Sequence, residues 1–523
     1  MKSLLKHIVS GAMLLVLPLM LTGCEDILGK WERPTPAVPS ATKTPGTISY
    51  ATTTMLKGSL DPTFSNTLTL VGDGSITYQS SDPSVATVDA STGKVTPVAP
   101  GTVTIKAIVS DSETYTYASK EASYTIELQD GYSYRWWNTT TKQFDTLIKP
   151  SSECELITPS TTTFDGSKRY IALGNVTVDH AINVTGGLSV ITLCDNAVLT
   201  INGRLYGTTL HITAQSEGEE MGKLNVTTDD GTDNDGLIDF TTDLTIHGGK
   251  ISAISTSNAT RLHGIKGVIT IYGGDIKAQA NETSGFGCYG IYGNGGFINI
   301  LGGKVEAIGC NSTSSSDRAG DGICGKFTID GNAVVIATGG NSSGAKEGGY
   351  GLNTNSFTGS SIGGTAHVTA QGGNSVNSIG GYGMHLQGDL TIQGSAVVTA
   401  TGGDNIGTDI KGGPGSYNGT LTLKDQASYT ARSGKSTGNA DGQDAMWIYL
   451  AYYGGTFTAI GGAKGPSGAN DGKAVHSPYS IQNKTAGTIT LEYSDDGQTW
   501  GGTFDINAST SSTPTYHAVR KMN

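Results

Sequence analysis

The stretch Ile269–Ala280 reads ITIYGGDIKAQA: apolar and polar residues alternate, two glycines interrupt, and the alternation resumes. A period of two places Ile269 and Ile271 on one face of an extended strand and Ile276 and Ala278 on one face of the next, with the chain turning at Gly273 and Gly274. Close copies stand at LTIHGGKISAIS (Leu244–Ser255) and INILGGKVEAIG (Ile298–Gly309). Looser ones follow as FTIDGNAVVIATGG, SSIGGTAHVTAQGG, LTIQGSAVVTATGG, LTLKDQASYTARSG and LAYYGGTFTAIGG, giving eight copies in all. Aligned on the last inward residue before the turn they give Ile246, Ile271, Ile300, Ile329, Ile362, Ile392, Leu423 and Tyr452, in steps of 25, 29, 29, 33, 30, 31 and 29. A fixed period in this range marks a repeat architecture, in which each unit buries its apolar edge only by stacking on its neighbours.

Each unit holds three short strand-like pieces: a segment such as YGIY or YGLN, the TIxGG strand and the IxATGG strand. A loop rich in Asn, Ser, Gly and Asp follows. Three strands per unit with glycine corners predict an all-β chain whose residues 170–485 form a right-handed parallel β-helix of about 30 residues per rung. A leucine-rich solenoid needs a Leu and Asn ladder that is absent, and propeller blades need four strands each. Stacking at ~4.8 Å makes a rod of roughly 50 Å. Its long Asn-rich loops lie along one side, which is where function is expected.

The chain has 76 glycines among 523 residues and only 15% charged residues, against usual shares of about 7% and a quarter. That composition suits tight turns between short strands. The net charge of −12 and the absence of a Lys/Arg cluster beyond the N-terminus exclude a nucleic-acid binder. Cys154, Cys194, Cys288, Cys310 and Cys324 are scattered without CxxC spacing, and their odd number leaves at least one unpaired or buried.

The N-terminus, MKSLLKHIVSGAMLLVLPLMLTGC, has basic Lys2 and Lys6, an apolar run from Ile8 to Leu21, and then Cys24. The run is shorter than the ~20 residues that span a bilayer. The segment resembles a bacterial lipoprotein signal with its lipobox, which implies a signal peptide over residues 1–23 and lipidation at Cys24. Glu25 and Asp26 resemble the export signals of surface lipoproteins in the Bacteroides group, which implies an outer-membrane, cell-surface, lipid-anchored protein. Residues 24–46, rich in Pro, Ser and Thr, read as a stiff spacer.

Residues 47–128 carry short alternating strands, with turn residues every 8 to 12 positions, and predict a small β-sandwich. Ala86 and Val88 share a face, Gly93 turns a hairpin, and Val103, Ile105 and Ala107 point inward. The phrase SITYQSSDPSVATVDASTGKVTPVAPGTVTIKAIVS, Ser75–Ser110, closely resembles the bacterial immunoglobulin-like domain, group 2, a spacer or adhesive module on bacterial surfaces. Residues 129–169 form an aromatic linker and cap, GYSYRWWNTTTKQF included. There Trp136 and Trp137 are either sugar-stacking platforms or a cover for the open end of the solenoid. Residues 486–523 read as a cap hairpin, with Asp495, Gly497, Thr499 and Trp500 in the spacing of an Asp-box and Tyr493 where that motif has Ser or Thr.

The residue before the glycine that opens each rung forms a column: Asp235, His263, Tyr289, Asp321, Tyr350, Tyr382, Pro414 and Asp444. NDGLIDFTTDLTIHGG and GDGICGKFTIDG resemble a family of bacterial carbohydrate-binding β-helix proteins related in shape to calcium-dependent pectate lyases. In that family Asp residues at such positions bind calcium, which carries over to Asp235 and Asp321. The acidic run TTDDGTDNDGLIDF adds Asp229, Asp233 and Asp239 as candidate Ca2+ ligands, since calcium takes six to eight oxygens; the alternative is a solvated acidic loop. Tyr289, Tyr350 and Tyr382 either stack on sugar rings or pack as a ladder. Three functions remain open: a non-catalytic surface lipoprotein that binds polysaccharide or host glycan, a polysaccharide lyase or glycoside hydrolase on the same scaffold, or a stalk or adhesin contacting protein. For catalysis Asp235, His263 and Lys266 are available, but no motif joins them.

The lipobox predicts that Cys24→Ser moves the protein from the membrane to the soluble fraction of fractionated cells. A variant as membrane-bound as the parent overturns that reading.

Overall fold

The computed structural model describes residues 42–522, apart from 167, 229–234, 257–260, 282–286 and 356. The first module packs two sheets face to face. Thr44–Tyr50 lies between Leu68–Val71 and Tyr115–Tyr117 in one, and Thr54–Gly58, Glu121–Gln129, Gly101–Val109 and Ile76–Ser80 form the other. Alternation does the packing: Val103, Ile105, Ala107 and Val109 are buried while the residues between them are not. Gly93 takes a φ of +72° at the turn between Ala86–Val88 and Val95–Pro97, a conformation costly for any residue with a Cβ. The immunoglobulin-like sandwich expected from the sequence is therefore present.

Beyond it lies a parallel β-solenoid built of an 18-stranded and a 14-stranded sheet. The aligned column holds throughout: Ile246 pairs with Ile271, then Ile300, Ile329, Ile362, Ile392, Leu423 and Tyr452. The other sheet carries a second column, Ala253, Ala278, Ala307, Ala337, Ala370, Ala400, Ala431 and Ala459, all fully buried. Alanine recurs there because the chain is about to turn the corner and the core has no room for a longer side chain.

The three pieces of each unit do not stay separate in every turn. In the early turns the first two run together as one long strand, such as Asp235–Ile246, Leu262–Ile271 and Ile291–Ile300, with a register shift at the bend. Gly267 sits at one such bend, where a Cβ would come 1.8 Å from the Phe240 carbonyl oxygen. Further on the pieces part again, as Leu352–Asn353 and Ser360–Ile362.

Both ends are covered. Cys154–Leu156 and Thr163–Asp165 pair on the first turns. Ala518–Lys521 pairs antiparallel with Thr456–Ile460 and carries Ile489–Ser494 beside it. At this terminal hairpin the turn carboxylate is Asp496 and not Asp495: Asp496 Oδ1 accepts from Ser494 Oγ at 2.7 Å, Gln498 N at 2.8 Å and Thr499 N at 2.6 Å. Ser494, one residue after Tyr493, supplies the hydroxyl, so the motif is used one position out of its expected register.

Replacing Ala337 by Leu forces a larger side chain into a packed column and is expected to cost about 1–3 kcal/mol in urea unfolding. Thr369→Ser, on the outer face of the same sheet, is expected to stay within about 0.5 kcal/mol.

Candidate functional site

The aromatic stretch does not cap the end of the solenoid. Tyr132–Asn138 and Gln143–Lys149 pair only with each other, and this hairpin lies along the flank of the early turns. Its base is fixed by Asp61 of the immunoglobulin-like module. One Asp61 oxygen accepts from Ser133 N at 2.8 Å and Gln215 Nε2 at 2.5 Å, and the other from Gly58 N at 2.9 Å and Ser133 Oγ at 2.5 Å. Burial pushes the Asp61 carboxyl up, against the downward pull of the Ser133 hydroxyl and of Lys57. Three parts of the chain thus meet at one carboxylate. Further along the hairpin the buried Arg169 guanidinium lies 3.5 Å from the centroid of the Tyr134 ring and donates to Thr192 Oγ1.

Toward its tip the hairpin docks through rings. Trp136 stacks on His247 at 4.0 Å and on His211 at 5.1 Å, so its indole serves docking. The Trp137 backbone N–H donates to His247 Nδ1 at 3.0 Å, His247 Nε2 meets His211 Nδ1 at 3.2 Å, and His211 Nε2 meets Asp243 Oδ2 at 3.0 Å. Neutral imidazoles, each accepting at Nδ1 and donating at Nε2, satisfy the whole chain. Burial, with His211 and Arg169 nearby, lowers the His247 pKa to about 3, which keeps that ring neutral. Gly273 is needed here for contact, because a Cβ would stand 3.0 Å from the Phe144 ring.

Between the hairpin and the solenoid opens a cleft of about 620 Å³. Trp137, Phe144 and Tyr272 form its aromatic wall: Trp137 lies 5.4 Å from Tyr272 and 16° from parallel, and meets Phe144 edge to face at 5.1 Å. Leu301, Asp330 and Asn332 come from the next turns, and Thr139, Lys142 and Glu217 from the rim. Asp330 Oδ1 accepts from Gly331 N, but its Oδ2 and the Asn332 and Lys142 side chains make no hydrogen bond or ion pair among the described residues. Sequence reasoning found Trp137 but missed Phe144, Tyr272, Asp330 and Asn332. The signal available was Tyr272, an aromatic at a corner that is aliphatic, polar or glycine on the next five turns.

The tyrosine column is largely internal. Tyr350 packs against the Arg318 guanidinium at 4.1 Å and against Tyr382 at 4.5 Å, and Tyr382 continues onto Tyr417 at 4.4 Å. Rings covered from both neighbouring turns offer no face to a sugar, so Tyr350 and Tyr382 are ladder residues. Tyr289 is half-buried and stacked on His263 at 5.2 Å. Burial pushes all three phenols well above their usual range.

Among the described residues, the candidate calcium ligands Asp235, Asp239 and Asp321 are not brought together as a metal site. Asp229 and Asp233 lie outside the described residues. Asp235 and Asp239 both face Arg204, at 2.8 and 3.4 Å, and Asp239 also faces Lys266 at 3.7 Å. Asp321 is fully buried and gives its oxygens to Arg318, the Tyr350 N–H and Asn353 Nδ2. Cations already stand where a metal would, and these residues do not fit calcium. Asp235 also leaves the column by one position, since it is Gly236 that pairs with His263. His263 is buried, its pKa lowered to about 3 by burial and by Lys266, and its Nδ1 accepts from Tyr289 N, which removes it from any solvent-facing catalytic set.

Residues 43–118 match the model of the bacterial Ig-like domain (group 2). That segment is a bacterial immunoglobulin-like domain. Among curated proteins the chain is similar to intimin of Escherichia coli O127:H6 (strain E2348/69 / EPEC), 38% identical over 87 residues. The match takes in 16% of this chain and 9% of intimin, so the chain spans less than a tenth of that relative's length.

Because Asp61 ties the hairpin to both neighbours, Asp61→Ala strands the Ser133 and Gln215 donors and is expected to cost about 1–3 kcal/mol for each group left buried and unpaired. Limited proteolysis checks it: faster cleavage at the hairpin turn, residues 139–142, is expected, and unchanged protection removes the idea that Asp61 is the anchor.

Proposed function

We propose that this is a bacterial surface protein, adhesin-like in its architecture, that holds glycan in the cleft between the hairpin and the solenoid without cleaving it. The observation that carries the reading is the cleft itself, with Trp137, Phe144 and Tyr272 on its wall beside polar side chains whose hydrogen-bonding capacity is unspent. Aromatic faces cover the apolar side of a pyranose ring, and a few placed polar groups fix its orientation. The immunoglobulin-like domain supports display at a surface, and lipid attachment at Cys24 completes the proposal by holding the chain at the outer membrane. No helix among the described residues is long and apolar enough to cross a bilayer.

Chemistry favours retention over cleavage. A glycosidase needs one carboxyl kept protonated as acid and a second as base or nucleophile. Of the two carboxylates in the cleft, Glu217 is ion-paired with Arg135 at 2.5 Å and Asp330 Oδ1 accepts from Gly331 N. A metal-assisted lyase needs a metal beside a base, and the candidate ligands Asp235, Asp239 and Asp321 are paired with cations instead.

The purified chain from Trp31 onward is expected to retain polysaccharide on a glycan array and to release neither new reducing ends nor ultraviolet-absorbing unsaturated uronates. Absence of any retained glycan favours a stalk; appearance of either product makes the protein an enzyme.

A further inference from the structure

The same cleft, taken as the glycan site proposed above, also contains the information for the class of sugar. Its lining carries no net positive charge: Lys142 is the one cation among the lining residues against the carboxylates of Asp330 and Glu217, and the neighbouring Arg135 is committed to Glu217 and to the face of Phe144, at 4.1 Å. A uronate or sialyl carboxylate placed on the aromatic wall would face Asp330 with no free guanidinium to meet it, and like charges at such range repel. A neutral sugar meets what is present. Its hydroxyls donate to Asp330 Oδ2 and both donate to and accept from the Asn332 amide, the paired arrangement that neighbouring hydroxyls need.

The dimensions agree. Tyr272, Leu301 and Asp330 follow the paired residues Ile271, Ile300 and Ile329, so they occupy one corner position on three successive turns. Two steps of ~4.8 Å separate the ring from the carboxylate by roughly 10 Å along the axis, a span suited to a short oligosaccharide and too long for a single ring. A second lobe of about 260 Å³ continues the cleft past Phe144 and Tyr272, where Met221 and Asn332 also line it.

We infer that the cleft binds a neutral hexopyranose oligosaccharide, its apolar ring face against the half-exposed Trp137 of the aromatic wall and its hydroxyls on Asp330 and Asn332. Lys142 provides the discriminating control. It holds a φ of +58° at the hairpin turn, a conformation glycine adopts freely, so Lys142→Gly removes the charge without straining the fold.

The test is calorimetric titration of the chain and three variants with neutral gluco-, galacto- and manno-oligosaccharides and with oligogalacturonate and sialyl-oligosaccharide. At least one neutral oligosaccharide is expected to bind, and Trp137→Ala and Asp330→Asn are expected to weaken it about tenfold or more. Asp330→Asn keeps shape and volume, and its melting curve should match the parent, so its loss of binding does not report unfolding. Binding confined to the acidic oligosaccharides and abolished by Lys142→Gly overturns the neutral class while leaving glycan binding at this cleft intact. Neutral binding that ignores both Trp137→Ala and Asp330→Asn overturns the site, and no binding of any kind overturns the reading beneath it.

Discussion

Hydrogen bonding between successive turns in a single register is the constraint on which this molecule depends. A turn of about 29 residues has no partner for its backbone except the turn above and the turn below, and an unpaired buried peptide group costs as much as a lost hydrogen bond. Once Ile271 pairs with Ile300, the inward positions of each turn fall on the inward positions of the next. The alanine column and the isoleucine column are two readings of that one fact. The loops obey it as well: Asn341 N donates to Asn311 Oδ1 at 2.8 Å, Asn374 N to Asn341 Oδ1 at 2.8 Å, and Asp404 N to Asn374 Oδ1 at 2.9 Å.

A register that strict also determines what the outside can offer. Following the corner position up from Ile246 gives His247, Tyr272, Leu301 and Asp330 on consecutive turns. The hairpin docks on the first through the Trp136 stack and the Trp137 N–H, leans on the second, and leaves the third and fourth facing the cleft. Changing one residue type per turn, with the backbone unaltered, converts a docking surface into an apolar floor and then into a polar contact. The buried Asp61 then ties this arrangement to the immunoglobulin-like module, so the two modules share one anchor at the hairpin.

What the sequence made legible was whatever repeats. The column from Ile246 to Tyr452, the inward face of Ile276 and Ala278, and the sandwich with Gly93 at its turn all follow from alternation, period and glycine placement. What it hid was whatever happens once. The step from Ile246 to Ile271 is the shortest, 25 residues, and the slack is taken up by a bulge between Phe240 and Leu244, so Asp235 falls one place out of the column. Asp321 reads as a calcium-binding DG acid, yet it is buried and paired with a single preceding arginine, Arg318. The hairpin's site was beyond reach because Trp137 meets His247 across 110 residues of chain, and no local pattern encodes such a pairing.

The Asn-rich side of the rod shows why the repeat leaves few groups free for recognition, and why the site proposed above lies at the hairpin. A side chain that repeats every turn is in contact with its own copies, and the favourable use of an asparagine there is to bridge them, as Asn311, Asn341 and Asn374 do. Stacked tyrosines behave alike, each covering the next, and a ring covered on both sides has nothing left for a sugar. Recognition needs groups whose capacity is not already used by the fold. Such groups gather where the repeat is interrupted by something foreign to it, because the hairpin brings Trp137 and Phe144 against Tyr272 without supplying partners for Asp330 and Asn332. The rigid stack holds those residues in place, and the one non-repeating element laid across it creates the space between them.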